Sequence, residues 1–204
     1  MRQASVRVDK VARSSEEIEG AIYKGKSFVI SNQIKKFDFE IQPSAGLKPT
    51  KRWMQALIDS TSLNILQIKL SEMRDLSSKH WDYLVTGIIG NKSIKHLGIS
   101  AIEFRNENIG YLCKILSGNT MIESISFEDI IWRSAEEFSA VCTALKTHPK
   151  IRFVEFKNAL REIGNDLNLI EECLSKNSII TMLVIKGRSF GNVSVRKICD
   201  IIQH

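Results

Sequence analysis

Along this chain the apolar residues fall into two alternating rhythms. Ile94, Leu97 and Ile99 spell I-x-x-L-x-I, which places three apolar side chains along a short strand. After a polar connector, Ile109, Leu112, Cys113 and Leu116 recur at helical spacing, and Gly118-Asn119 stops that run. The strand spelling then restarts at Ile122, Ile125 and Phe127. Strand, connector and helix thus form one unit, and a second unit follows directly.

The central apolar residue of each strand serves as a marker: Val6, Phe37, Leu66, Leu97, Ile125, Val154 and Leu183, separated by 31, 29, 31, 28, 29 and 29 residues. A period held this well predicts a solenoid, in which each unit buries its apolar face against its neighbours. The first unit is the weakest. Val6 and Val8 alternate, but Gln3 stands where other units are apolar, and Ser14 with Glu17 forms a capping box before Ile18, Ala21 and Ile22. Residues 1–30 therefore read as an atypical N-terminal capping unit, and 31–204 as six repeats of the same single domain. The second unit pairs the strand Ile34, Phe37, Phe39 with a helix from Trp53 to Ile58. Its connector QPSAGLKPTK holds two of the three prolines and is expected to be a loop.

The third unit places Leu63, Leu66 and Ile68 on its strand and Trp81, Leu84, Val85, Ile88 and Ile89 on its helix, with Gly90-Asn91 as the stop. The fifth shows a capping box, Ser134 with Glu137, ahead of Phe138, Val141, Cys142 and Leu145. Ile151, Val154 and Phe156 open the sixth, followed by Leu167, Ile170, Cys173 and Leu174. Ile180, Leu183 and Ile185 open the seventh, followed by Val195, Ile198, Cys199 and Ile202.

This order of L-x-x-L-x-L, connector, amphipathic helix and N or GN before the next unit resembles the ribonuclease-inhibitor-like leucine-rich repeats. The resemblance covers essentially the whole chain, most specifically Leu63 to Ile202. It implies an α/β horseshoe segment of about seven strand–helix units, with a parallel concave sheet, convex helices and a role in binding other proteins. The asparagine or cysteine that such repeats place soon after the strand is mostly missing here, and Asn158 is the nearest candidate.

In such a solenoid the markers face inward, and the residues between and just after them face the concave solvent. That face is expected to carry Lys35, Lys36, Asp38 and Glu40, then Asn64, Ile65, Gln67 and Lys69, then Lys95, His96, Gly98 and Ser100. Later strands add Glu123, Ser124, Ser126 and Glu128; Arg152, Phe153, Glu155 and Lys157; and Thr181, Met182, Val184 and Lys186. Most of these suit a solvated sheet. Phe153, Met182 and Val184 do not: an aromatic and an adaptable Met inside a rim of Arg152, Lys157 and Lys186 is how a partner-binding hot spot is built. The expected partner-binding set is Ile65, Gln67, Lys69, His96, Ser124, Ser126, Glu128, Arg152, Phe153, Glu155, Lys157, Met182, Val184 and Lys186.

Charge and chemistry narrow the function further. The net charge is +6, with residues 1–60 carrying eleven Lys/Arg against seven acids, and residues 121–204 balanced at eleven each. The basic N-terminal half facing acidic units five and six points to a partner with a polarised surface. No aromatic-interleaved basic stripe accompanies the excess, so nucleic acid is not an expected partner. No apolar run reaches the length of a membrane span, and no signal core is present, which gives a cytoplasmic expectation, or host cytosol for a secreted bacterial effector. Cys113, Cys142, Cys173 and Cys199 recur at one helix position, in different units, and read as small core residues rather than metal ligands. His80, His96, His148 and His204 have no nucleophile as a predictable neighbour, and no phosphate-binding glycine motif occurs. The expectation is a non-enzymatic module without cofactor that binds another protein. The resemblance implies two alternatives, a regulator of its partner, acting on a GTPase or capping a filament as some such repeat proteins do, and a secreted bacterial effector or adaptor on the same scaffold. Exposed repeat ends would also allow self-association.

Overall fold

The computed structural model describes residues 10–12, 28–30, 35–40, 47–69, 77–100, 106–160, 170 and 179–187. Two short strands, β1 (Lys10–Ala12) and β2 (Phe28–Ile30), pair in parallel as a sheet of their own. The main sheet follows in chain order: β3 (Lys36–Glu40), β4 (Ile65–Lys69), β5 (His96–Ser100), β6 (Ser124–Glu128), β7 (Phe153–Lys157) and β8 (Met182–Lys186). Every neighbouring pair is parallel, so each strand needs a crossover to return the chain to its starting edge. Four helices among the described residues provide the first four of the five crossovers: α1 (Leu47–Asp59), α2 (Ser78–Gly90), α3 (Asn106–Gly118) and α4 (Ala135–Thr147). The fold is the expected strand–helix repeat solenoid.

The markers chosen from the sequence form one cross-strand row, Phe37–Leu66–Leu97–Ile125–Val154–Leu183, in direct register. From Phe37 to Val154 each is buried, and Leu183 at the sheet's edge is half-buried. The second inward row, Ile68, Ile99, Phe127 and Phe156, is buried as well. Helix residues at matching spacing close the core from the other side: Trp53 and Leu57, Leu84 and Ile88, Leu112 and Leu116, Phe138 and Val141. Between the fifth and sixth units the core is aromatic. Phe127 stacks on Phe156 at 5.3 Å, and Trp132 and Phe138 meet them edge-on.

Helix α1 corrects one expectation. It begins at Leu47 rather than Trp53, so the second half of QPSAGLKPTK is helical. Pro49 falls in the first turn, where backbone N–H groups have no intrahelical acceptor, so the proline costs the helix nothing. At α4 the capping box is present: Ser134 accepts the N–H of Glu137, and the Glu137 carboxylate accepts the N–H of Arg133, one residue outside the usual partner.

Asparagines do hold the turns together, but not where the resemblance placed them. Asn91, Asn119 and His148 follow directly after α2, α3 and α4, each six residues before its marker. The buried Asn91 side chain donates to the carbonyls of Leu57 (2.6 Å) and Ser60 (3.0 Å) and accepts from the N–H groups of Ser93 and Ile94 (2.8 Å each). Asn119 repeats this one unit on, donating to Ile88 (2.6 Å) and Asn91 (3.2 Å) and accepting from Met121. His148 does the same with a ring: Nε2 donates to the Asn119 carbonyl (2.7 Å), and Nδ1 accepts from Lys150 and Ile151. The result is a ladder that satisfies buried backbone groups across unit boundaries. Asn158, by contrast, sits after β7 at φ 51°, as Asp129 sits after β6 at φ 53°, and its amide bonds the Asp129 carboxylate rather than the backbone.

The strand at Val6, the capping box of Ser14 with Glu17, Cys173, Cys199, His204 and the last two helices other than the buried Ile170 lie outside the described residues.

Candidate functional site

Alternation along each strand puts positions one, three and five on the concave side, and register lines them up across the sheet. The first row, at the strands' N-terminal ends, runs Lys36, Ile65, His96, Ser124, Phe153, Met182. The middle row runs Asp38, Gln67, Gly98, Ser126, Glu155, Val184, and the last runs Glu40, Lys69, Ser100, Glu128, Lys157, Lys186. The structure therefore brings thirteen of the fourteen expected binding residues onto one surface. The fourteenth, Arg152, lies one position before β7, exposed on the rim, with its carbonyl accepting from Thr181 and Met182.

Across all six strands, along the middle and last rows, this face forms a shallow trough of about 610 Å³. Gln67, Lys69, Ser126, Glu128, Glu155, Lys157 and Lys186 line it, joined by Lys36, Asp38 and Ser100, which complete its floor and one end. At its centre Gly98 carries no side chain, and the Gln67 side chain fills that space: its Oε1 lies 1.5 Å from where a Cβ would be.

Electrostatically the trough pairs its charges internally. Lys157 bridges to Glu128 across β6 and β7, and Lys186 to Glu155 (2.7 Å) across β7 and β8. Lys36 meets Asp38 at 3.2 Å, and on the rim Lys95 meets Glu123 at 3.1 Å. The hydrogen bond and charge of Glu128 hold the Lys157 ammonium above the usual lysine range. The concave acids Glu123, Glu128 and Glu155 are thus each matched by a lysine, Glu123 from the preceding unit and Glu128 and Glu155 from the following one. These three are the acidic members of the expected contrast on this face. Exposed pairs of this kind fix side-chain positions more than they stabilise the fold.

The apolar part of the face lies at the end of the sheet. Met182 is 55% exposed, and Phe153, its register partner, and Val184 are half-buried. Ile65 is half-buried on β4, and Ile131, in the connector after β6, is the other large exposed apolar residue among those described. Spacing identified the first four. Ile131 lies in a connector, where no periodicity marks a side chain as exposed.

Possible chemistry can be placed as well. The ring Nδ1 of His96 and the hydroxyl of Ser124 form a short hydrogen bond across β5 and β6, a pairing that sequence reading missed because it needs the strand register. The adjacent carboxylate, Glu123, is engaged by Lys95 rather than by the imidazole, so it does not serve as the third member of a nucleophilic triad. Cys142 is buried, as expected; Cys113 is half-buried, with its thiol directed at the Ala140 carbonyl and raised above the usual cysteine range by burial. No helix among the described residues is long and apolar enough to cross a membrane.

No family model matches the sequence, and no curated protein matches it. Solved structures do. The chain is similar to the leucine-rich repeat-containing protein LegL7 from Legionella pneumophila, with a TM-score of 0.51 and 13% identity over 94% of this chain and 68% of that one. It is also similar to actin-binding site 2 of leiomodin-1, with a TM-score of 0.50 and 11% identity over 94% and 90%. The tropomodulin C-terminal domain of Caenorhabditis elegans overlaps it at a TM-score of 0.38 and 10% identity, over 93% and 92%. At these identities the likeness concerns the fold, which is that of a leucine-rich-repeat-like solenoid.

Proposed function

We propose that this chain is a non-enzymatic interaction module that recognises a partner protein on its concave sheet. One observation carries the reading: Phe153, Met182 and Val184 stand together on the concave side of β7 and β8, exposed or half-exposed, beside a trough of already paired charges. Burying such a patch is favourable, and the paired charges around it supply direction without needing to be broken. Affinity capture with the wild type and a folded Phe153→Asp/Met182→Asp variant tests this. A partner held by the first and lost by the second is expected; equal capture refutes the reading.

A second reading makes the module a regulator of its partner's assembly. It draws on the likeness to leiomodin-1, whose matched segment is itself an actin-binding site. Co-sedimentation with actin filaments decides it, since a chain that stays in the supernatant at micromolar filament concentration is not an actin regulator. The sheet's end invites a further contact. Leu183 and Ile185 are half-buried, whereas their equivalents on β4 to β7 are buried, and an incompletely covered strand favours self-association. Light scattering at high concentration is expected to show a dimer, and a monomer throughout rules it out.

A further inference from the structure

The rungs of the turn ladder perform one task with two kinds of side chain. Asn91, Asn119 and His148 each stand six residues before a marker, and in sequence Asn177 holds the same place before Leu183. Each described rung donates to the backbone carbonyl at the same place one unit earlier: Asn91 to Ser60 at 3.0 Å, Asn119 to Asn91 at 3.2 Å, and His148 to Asn119 at 2.7 Å. Of these side chains only the imidazole takes up a proton near neutral pH.

The bonds around the ring fix its protonation state. Nδ1 receives the N–H groups of Lys150 (3.2 Å) and Ile151 (3.1 Å), which can only donate, so Nδ1 presents its lone pair and Nε2 holds the hydrogen. A second proton, on Nδ1, would set three N–H donors against one another. His148 is 2% exposed and Ile151 fully buried, so water has little access to replace the lost acceptor. The damage is one-sided. Nε2 still donates to Asn119, so the bond toward the fifth unit survives, whereas the turn that leads through Ile151 into β7 loses its acceptor.

The charged groups on the elements around the ring do not offset this. Lys150 stands on the same turn and disfavours the imidazolium, Lys146 lies in the last turn of α4, and Arg152 precedes β7. On the preceding unit, Lys114 of α3 sits over the Tyr111 ring, and Glu123, which follows the Asn119 turn, is bridged to Lys95.

We propose that His148 is an acid-sensitive latch: protonation of its ring opens the chain at the boundary between the fifth and sixth units, while the units before that boundary stay closed. Solenoid units contact only their neighbours, so an opening can run in from one end and stop at a weakened boundary. The units released carry β7 and β8, and with them Phe153, Met182 and Val184. The latch stands on the ladder alone; its consequence for a partner rests on the concave sheet being the binding surface.

Burial lowers the closed ring below the ordinary histidine value of 6.5, and opening returns it to water. The open form therefore gains its proton first, and is favoured from about pH 6.5 downward until the lower value of the closed form is passed. Between about pH 7.5 and about pH 5.5 the open fraction rises severalfold, with about tenfold as the ceiling for a ring that stays neutral while closed. Carboxylates of ordinary pKa remain ionised throughout this range.

Hydrogen exchange of the full chain tests the latch, with protection compared at about pH 7.5 and about pH 5.5 after correction for intrinsic rates. The amides of β7 and β8 are expected to lose protection by about threefold to tenfold, and those of β4 and β5 by less than about twofold. His148→Asn, which places at this rung the side chain that serves at positions 91 and 119, is expected to remove the acid effect. A loss below about twofold at β7 and β8 overturns the latch. An equal loss at β4 and β5 means that the whole chain opens at once, which overturns the boundary, and an acid effect that survives in folded His148→Asn overturns the residue. If that variant does not fold, the comparison of strands within the wild type decides alone. The concave reading fails separately: the expected exchange together with a partner indifferent to Phe153→Asp/Met182→Asp upholds the latch and removes the site.

Discussion

Replacing Asn91 probes the turn ladder directly. Its buried side chain makes four hydrogen bonds to backbone, to the carbonyls of Leu57 and Ser60 and from the N–H groups of Ser93 and Ile94. At about 1 kcal/mol net for each bond, Asn91→Ala costs about 4 kcal/mol, much of it from backbone groups left buried without partners. Against a total stability of about 5–15 kcal/mol that is a large share. With a urea dependence of about 2 kcal/mol per molar, the unfolding midpoint moves down by about 2 M. Asn91→Asp is expected to be no better, because it keeps the two acceptor bonds but points a carboxylate at two carbonyls. Asn91→His is expected to be intermediate, since His148 fills the equivalent place with one donor and one acceptor atom. Urea titrations followed by circular dichroism measure all three. A midpoint shift below about 0.5 M for Asn91→Ala, or tolerance of Asn91→Asp, would refute the ladder as a source of stability.

His148 makes stability depend on pH. Burial, and secondarily the charge of Lys150 on the same turn, lower its pKa below the usual histidine value of 6.5, opposed by its bond to the Asn119 carbonyl. The unfolded chain therefore takes up a proton before the folded one does, so stability present above about pH 6.5 is lost as pH falls from there toward the depressed folded value. His148→Asn is expected to flatten that part of the pH profile of the urea midpoint; an unchanged slope contradicts the assignment. Two glycines of α3 separate space from propensity. A Cβ at Gly110 meets nothing within 4 Å, so Gly110→Ala is expected to stabilise by about 1 kcal/mol, as in an ordinary helix. At Gly118 it would lie 2.5 Å from Ile89 Cδ1 and 2.8 Å from Cγ1, so Gly118→Ala is expected to destabilise by about 1–2 kcal/mol. Thermal melts of the two variants check the opposite signs.

The strands were legible because their apolar positions repeat: each marker from Phe37 to Leu183 lies in the row that spacing assigned to it. The concave list followed from the same alternation. What stayed hidden depends on contacts between units. Gly90-Asn91 and Gly118-Asn119 read as stops, and a stop says nothing of where the amide points. His148 gave no sign of being the third rung until its place, six residues before Val154, was set beside Asn91 before Leu97 and Asn119 before Ile125. The Lys157–Glu128 and Lys186–Glu155 bridges join neighbouring strands, so they become visible only once the register is known. The early start of α1 was masked by Pro49, whose usual meaning as a breaker does not apply in a first turn.

The central claim is that the concave C-terminal strands, and not the helical side, hold the partner. The most direct measurement is the dissociation constant of a captured partner for three forms of the chain: wild type, Phe153→Asp on β7, and Lys114→Glu on the exposed side of α3. Phe153→Asp is expected to weaken binding by at least about 2 kcal/mol, roughly thirtyfold, and Lys114→Glu to leave it within a factor of two or so. The reverse order of effects would contradict that claim.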